Sequence, residues 1–375
     1  MRLLCILLVS ILTMNTAKSA PAKPQPLVFV SSFAAGEKGA IHAYRLNLKS
    51  GALKQVASND QVEHPFFLAL SDDQRFLYSI DASSFGGEIN QVAAFALKGR
   101  SGNLKLLNRQ STHGKASCYL DVDATGKSLL VANYLTGDVG SIPLKKNGSL
   151  GKMESLFRHK GSSVDPKRQK APYAHCVVVS PDNRFAFAAD LGIDKVMSYR
   201  LEPELGKITQ NKPSFVKVPA GSGPRHLTFH PNGKFVYVIN ELANTISVFS
   251  YAAKAGKLTE IQNISTLPKD FGGRTHTADL KITPNGKFLY GTNRGHDSIG
   301  GYQISKDGKL KLIEIIPSLG KGPQNLAIAP DGRHLFCANM PGNSLVTFRV
   351  GEAGKLKKVG KTIEVTMPSC IMIAE

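Results

Sequence analysis

Apolar and polar residues alternate with period two along most of this chain, in short runs broken by Gly, Pro, Asn or Asp. That alternation marks strands with one covered face, and the breakers mark the turns between them. Residues 221–251, GSGPRHLTFHPNGKFVYVINELANTISVFSY, set the pattern. The runs LTF, FVYVI and ISVFSY are parted by Pro231-Asn232-Gly233 and by residues 240–244. β-branched and aromatic residues between such turn formers predict a strand–turn–strand meander. A helical reading fails, because the apolar runs are too short and Gly or Pro interrupts them too often.

The same passage recurs along the chain. Its second run appears as VFVSS (28–32), FLYSID (76–81), LLVAN (129–133), FAFAAD (185–190), FVYVIN (235–240), FLYGTN (288–293) and LFCAN (335–339). Six of these follow a cation that closes a turn, Arg75, Lys127, Arg184, Lys234, Lys287 and Arg333, at spacings of 52, 57, 50, 53 and 46 residues. A third run accompanies each of the seven: IHAYRL, QVAAFAL, VGSIPL, KVMSYRL, ISVFSY, SIGGYQI and LVTFRV. A fourth follows, usually announced by a GxL turn such as Gly256-Lys257-Leu258. This period belongs to arrays with four strands per unit, so the chain is expected to be all-β: a seven-bladed β-propeller of four-stranded antiparallel blades. The N-terminal blade begins at its second strand, and PSCIMIAE (368–375) supplies a first strand with nothing after it. The C-terminal strand is therefore expected to join the N-terminal blade and close the ring, leaving no wide sheet edge.

Residues 1–22 stand outside this pattern. Arg2 precedes an apolar run, residues 3–12, and then small and polar residues, which reads as a secretory signal peptide cleaved between Ser19 and Lys23. The expectation is an exported, periplasmic or extracellular protein whose residues 23–375 form one propeller domain. No later segment is apolar and long enough to span a membrane. Cys118, Cys176, Cys337 and Cys370 remain after cleavage; they form no CxxC pair and sit near no His at zinc spacing, so neither a metal nor another cofactor is expected. They read as small buried hydrophobes, with a disulfide at Cys118 or Cys370 as the alternative in an exported protein. The net charge of +19 comes largely from Lys scattered through the turns, and its one cluster is Lys167, Arg168 and Lys170. With no Trp and no aromatic interleaving, it reads as a solvated surface attractive to a small anionic substrate, not as a nucleic-acid site. Nothing in the sequence speaks to oligomeric state.

Candidate chemistry comes from comparing the blades with one another. The residue ending the second strand is short and polar in all seven: Ser32, Asp81, Asn133, Asp190, Asn240, Asn293 and Asn339, a column read as architectural. The next column, Phe33, Ala82, Tyr134, Leu191, Glu241, Arg294 and Met340, departs from the apolar in two adjacent blades, with opposite charges. Near the start of the first strand the aligned column is Phe66, Cys118, His175, His226, Asp279, Asn325 and Cys370, with Arg225 and Gln324 just before two of them. In an antiparallel meander the start of strand one and the end of strand two lie at one end. His175, Arg225, His226, Glu241, Asp279 and Arg294 are thus expected to ring one mouth of the central channel, away from the PNG and PDG turns. The bland alternative is a wet channel lined by unspecialised polar groups; charged groups converging from neighbouring blades favour a site.

The segments APYAHCVVVSPDNRFAFAADLG, GSGPRHLTFHPNGKFVYVINEL, RTHTADLKITPNGKFLYGTNRG and GKGPQNLAIAPDGRHLFCAN resemble the seven-bladed lactonase family. That family includes propeller-type 6-phosphogluconolactonase and carboxy-muconate lactonizing enzyme. The resemblance runs through the whole chain beyond the leader and implies that His175, Arg225, Glu241 and Arg294 are catalytic, with His226, Tyr173, Asp279, Gln324 and Asn325 around the substrate. Two positions depart from the family: Tyr173 stands where a His is often found, and Gln324 where an Arg is usual. The implied chemistry is opening of a sugar-type lactone. Glu241 and His175 share the base and acid roles, in an order left open, and the two Arg hold the oxyanion and the anionic end of the substrate. The alternatives are a lactonizing cycloisomerase using the same residues and an exported propeller that only binds a ligand or partner. The chain contains no GxSxG nucleophile elbow.

Overall fold

The strands gather into seven four-stranded antiparallel sheets in a computed structural model that describes residues 25–375. The leader read in residues 1–22 lies outside the described residues. Strands adjacent in sequence are adjacent in each sheet, except at the closure, where Pro368–Ala374 pairs with Leu27–Ser32. Counting that closing blade as the first, the innermost strands are Pro368–Ala374, Leu68–Leu70, Ser117–Val122, Ala174–Val179, Pro224–Phe229, His276–Ile282 and Pro323–Ile328. Each touches the innermost strand of the next blade, and the seventh touches the first, so the ring is continuous. Arg100 of the second blade ties the seam from outside, donating to the carbonyls of Gln25 at 2.9 Å and Glu375 at 2.7 Å.

Burial is most complete at the second strands and falls toward the outer edge of each blade. The second strands Leu27–Ser32, Ser128–Asn133, Phe185–Asp190 and His334–Asn339 are buried at every position, because each sheet is covered by a blade on either side. The outermost strands turn most of their positions to solvent, as in Leu356–Glu364 with its three lysines.

A recurring contact sets the spacing between blades. Tyr78, Tyr237 and Tyr290, in equivalent places on the second strands, donate their hydroxyls to the carbonyls of Gly148, Gly308 and Gly354, which lie in the turn before the outer strand of the following blade. These glycines have φ of 82°, 82° and 77°, a left-handed region costly for other residues. They also press on a ring from the preceding blade: a Cβ on Gly308 would come within 2.4 Å of Phe235. The GxL signal in the sequence is therefore an inter-blade joint as well as a turn.

The polar column at the end of the second strand ties loops to strands, as expected. Asp190 accepts from the backbone N–H of Tyr173 at 2.7 Å and Gly192 at 2.9 Å, and Asn293 donates to the Thr266 carbonyl at 2.9 Å. Cys118, Cys176, Cys337 and Cys370 are free, buried thiols, so the disulfide held open at Cys118 or Cys370 is not formed.

Replacing Gly308 by Ala is expected to cost about 2–5 kcal/mol, the left-handed backbone and the overpacking against Phe235 adding together. Gly360, with φ 65° and open space around it, serves as the control and is expected to cost about 1–2 kcal/mol. Denaturant midpoints at unchanged m-value check both.

Candidate active site

The first strands do not run straight into the mouth. In the fifth blade Pro224 faces Asn240 and His226 faces Ile239, which leaves Arg225 unopposed on a one-residue bulge. In the fourth blade Ala174 faces Asp190 and Cys176 faces Ala189, leaving His175 on the same bulge. His175 therefore stands where Arg225 stands, and Cys176, not His175, is the counterpart of His226. The sequence alignment of that column slips by one residue here and again in the third blade, where Ser117 faces Asn133, Tyr119 faces Ala132 and Cys118 stands on the bulge. Period-two patterning identifies a face, but a bulge puts two consecutive residues opposite one and re-aims a side chain. Arg225 and His226 consequently lie side by side, with Nη1 of the arginine donating to Nε2 of the histidine at 3.1 Å.

Glu241 follows the last residue of strand Phe235–Asn240, and its backbone N–H is tied to the Gly223 carbonyl at 2.7 Å. Its carboxylate meets three guanidinium groups. Oε2 accepts from Arg225 Nε at 3.0 Å and from Arg294 Nη2 at 2.8 Å, while Oε1 accepts from Arg168 Nη2 at 2.7 Å. Burial alone pushes the Glu241 carboxyl up, but Arg294, Arg225 and Arg168 outweigh it and hold it well below the usual carboxylate range. Arg225 is buried and also donates to the Ala278 carbonyl. Its burial and the neighbouring Arg294 lower it to about 10, so it stays charged at neutral pH.

His175 is buried, its ring 5.3 Å from that of His226 and 5.3 Å from that of Tyr134. Burial, then Arg225 and His226, keep its pKa well below 6.5, so the imidazole is neutral. Its Nδ1 lies 3.8 Å from Cys118 Sγ, and Nε2 has no partner among the described residues. A neutral imidazole with an unused nitrogen, near the Arg225 guanidinium, is able to take a proton from water while the arginine stabilises an oxyanion.

The model of the family "Lactonase, 7-bladed beta-propeller" matches residues 27–373. The chain belongs to this propeller lactonase family. It is 33% identical over 300 residues to the 6-phosphogluconolactonase of Bacillus subtilis, covering 79% of this chain and 83% of that one. The 6-phosphogluconolactonase of Formosa agariphila is 34% identical over 305 residues, 80% of this chain and 85% of that one. The solved structure of the Pseudomonas aeruginosa periplasmic gluconolactonase superposes with a TM-score of 0.88 at 30% identity, over 93% of this chain and 99% of that one.

Around this lactonase-family mouth the remaining expected residues fall into two groups. Behind the cluster, His226 donates through Nδ1 to Asp279 Oδ1 at 2.9 Å, a tautomer required by the Arg225 contact on Nε2. Burial, then Arg225, lowers His226 to about 3. Asp279 also accepts from Lys281 Nζ at 2.8 Å, Asn325 Nδ2 at 2.8 Å and the Leu326 N–H at 2.9 Å. The other end of the Asn325 amide accepts from the Ile371 N–H at 2.9 Å, so both its polar ends are occupied. At the rim, Gln324 Oε1 accepts from Arg294 Nη1 at 3.3 Å, and Tyr173 stacks on Tyr134 with centroids 4.9 Å apart.

Two neighbours escaped the blade comparison. Arg168 read as part of a surface charge cluster, yet it reaches Glu241; the one available signal was the unusual length of its connection. His276 opens strand His276–Ile282, and both of its ring nitrogens are enclosed without a hydrogen-bond partner among the described residues. With Arg274, Arg294, Lys321, Gln324 and Met340 it lines an open recess of about 570 Å³ beside the cluster.

Replacing Glu241 by Gln leaves the guanidinium groups facing one another without their counter-charge and is expected to cost about 3–5 kcal/mol. Phosphate or sulfate should restore part of the loss, read as an anion-dependent rise in Tm in the variant. Because the fold depresses this carboxyl, its stabilisation is complete above the ordinary value of 4.5 and is lost as pH falls below it. The stability of Glu241→Gln should accordingly vary less with acidification than that of the wild type.

Proposed function

We propose that the chain is a lactone hydrolase of the 6-phosphogluconolactonase-like kind, with its reaction centre at the Glu241 mouth. The observation that carries this reading is a neutral His175 beside a carboxylate locked by Arg168, Arg225 and Arg294. Membership of the lactonase family and relatives named 6-phosphogluconolactonase support the same reading.

In the proposed mechanism His175 is the base. A carboxylate with so depressed a pKa is a poor proton acceptor, which favours the imidazole over Glu241. Nε2 of His175 takes a proton from water as the water oxygen adds to the lactone carbonyl. The carbonyl π electrons move onto oxygen, and the resulting oxyanion faces the guanidinium group of Arg225, while Arg294 holds the anionic end of the substrate. Collapse re-forms the carbonyl and breaks the bond to the ring oxygen, which receives the proton from the imidazolium. The products are a free hydroxyl and a carboxylic acid that ionises. Glu241 orients the two arginines and limits their mutual repulsion. Asp279 and His226 hold Arg225 from behind.

Export belongs to the proposal as well. The apolar run of residues 3–12 with Arg2 before it supports a leader, and one structural relative is described as periplasmic. N-terminal sequencing of the protein from cell fractions tests this; retention of Met1 on a cytosolic species would refute it.

A panel of sugar lactones, followed by proton release, tests the activity; rates no higher than spontaneous hydrolysis on every member would end the reading. His175→Asn is expected to lower kcat by about 10²–10⁴-fold with the fold retained by circular dichroism. Protonation of His175 switches the base off, so the acid limb of kcat/KM should lie below the ordinary histidine value of 6.5 and vanish in His175→Asn.

A further inference from the structure

The connection between Ser155–Arg158, the outer strand of the third blade, and Ala174–Val179 reaches the same mouth, and its path is tightly held. The Ser163 N–H donates to the Gln169 carbonyl at 2.9 Å, and the buried Gln169 side chain donates to the Leu191 carbonyl at 2.8 Å. Ser163 Oγ donates to Asp194 Oδ2 at 2.5 Å. The Asp165 carboxylate accepts from the N–H groups of Lys167 at 2.8 Å and Arg168 at 3.0 Å. These ties fix the backbone of Arg168 and aim one guanidinium inward, past the Tyr134 hydroxyl at 3.4 Å and onto Glu241. Lys167 and Lys170 stay exposed.

Two features of the cluster point beyond a structural ion pair. First, three cations surround one carboxylate, which leaves two positive charges in excess. Excess charge of one sign in a recess costs stability in the free protein and is relieved by an incoming anion. Second, access to the cations is graded. Arg225 is 1% exposed, whereas Arg294 is 27% and Arg168 33% exposed. The deep arginine is confined to the reaction centre. Arg294 is steadied at the rim by the carbonyls of His276 at 3.4 Å and Thr277 at 2.9 Å, whereas the Arg168 guanidinium touches only Tyr134 and Glu241 among the described residues and can turn toward solvent. Both outer forks fit a planar or tetrahedral oxyanion in bidentate fashion.

We propose that Arg168 is a specificity-determining residue which, together with Arg294, grips an anionic group carried by the substrate away from its lactone carbonyl. That group is a phosphate monoester or a carboxylate. When it binds, Arg168 exchanges Glu241 for the substrate oxygens, and Glu241 remains paired with Arg225. This inference rests on the lactone-hydrolase reading for its substrate, but not for the anion contact itself.

The test compares wild type, Arg168→Ala and Arg168→Lys on a phosphorylated aldonolactone, a carboxylated aldarolactone and uncharged gluconolactone. In Arg168→Ala the ratio of kcat/KM on a charged lactone to that on the uncharged one is expected to fall by roughly 10–100-fold, mainly through KM. Lysine should recover part of it, since it keeps the charge but not the fork. The charged lactone that shows the effect identifies the group recognised. An unchanged ratio would overturn the proposal, because a residue that only steadies Glu241 would affect all three substrates alike. A parallel titration with inorganic phosphate separates the two layers of inference. Wild type should gain more in Tm than Arg168→Ala, and equal gains would overturn the role of Arg168. Failure of wild type to open any lactone would instead refute the hydrolase reading and leave the phosphate comparison to decide the anion contact.

Discussion

Everything in this molecule depends on the ladder between Leu27–Ser32 and Pro368–Ala374. Without it the chain is an open row of sheets with an exposed edge at each end; with it, seven innermost strands must meet around one axis. That closure constrains side chains as well as backbone. The starts of the first strands and the ends of the second strands crowd the same mouth, so residues separated by more than a hundred positions, such as His175 and Arg294, come to share one environment. The Tyr–Gly joints fix three of the blade junctions at one spacing, since each hydroxyl measures the distance to the next blade's turn.

Crowding charged groups together away from water is costly, and the mouth accommodates it with two linked clusters. One is the Glu241 carboxylate with Arg168, Arg225 and Arg294; the other is the Asp279 carboxylate with His226, Lys281 and Asn325. The contact between Arg225 and His226 joins them. The inner cluster is balanced, with every oxygen of Asp279 occupied. The outer one is not, and its surplus is positive. Balanced burial serves the fold, whereas an uncompensated surplus at an accessible mouth serves a ligand. The same contrast separates the neutral His175, with an unused nitrogen, from His226, whose two nitrogens are both engaged.

Much of this was legible beforehand. Period-two runs, GxL turns and the recurrent polar residue after the second strand each follow from local chemistry, so blade number, closure and the architectural column could be read directly. Glu241 and Arg294 stood out because their own repeat does not require a charge at that position. What misled was register: the same bulge opens both first strands, but period-two patterning does not say which residue stands on it, and His175 belongs to the Arg225 column, not to the His226 column. Arg168 was hidden for another reason. It belongs to a connection with no counterpart in the other blades, so comparison among them had nothing to set it against, and its lysine neighbours made it look like solvated surface.

The amino-acid sequence by itself determined the repeat, the ring and the rim at which the charges gather, because alternation, turn preference and strand count are local properties summed along the chain. Tertiary structure alone decided which groups touch. Glu241 binds three arginines and not two, Asp279 is spent on His226 and Lys281, and His175 is left neutral. Those outcomes depend on ångström-scale approach and on burial, which weigh desolvation against pairing only after the seven blades have closed on one another.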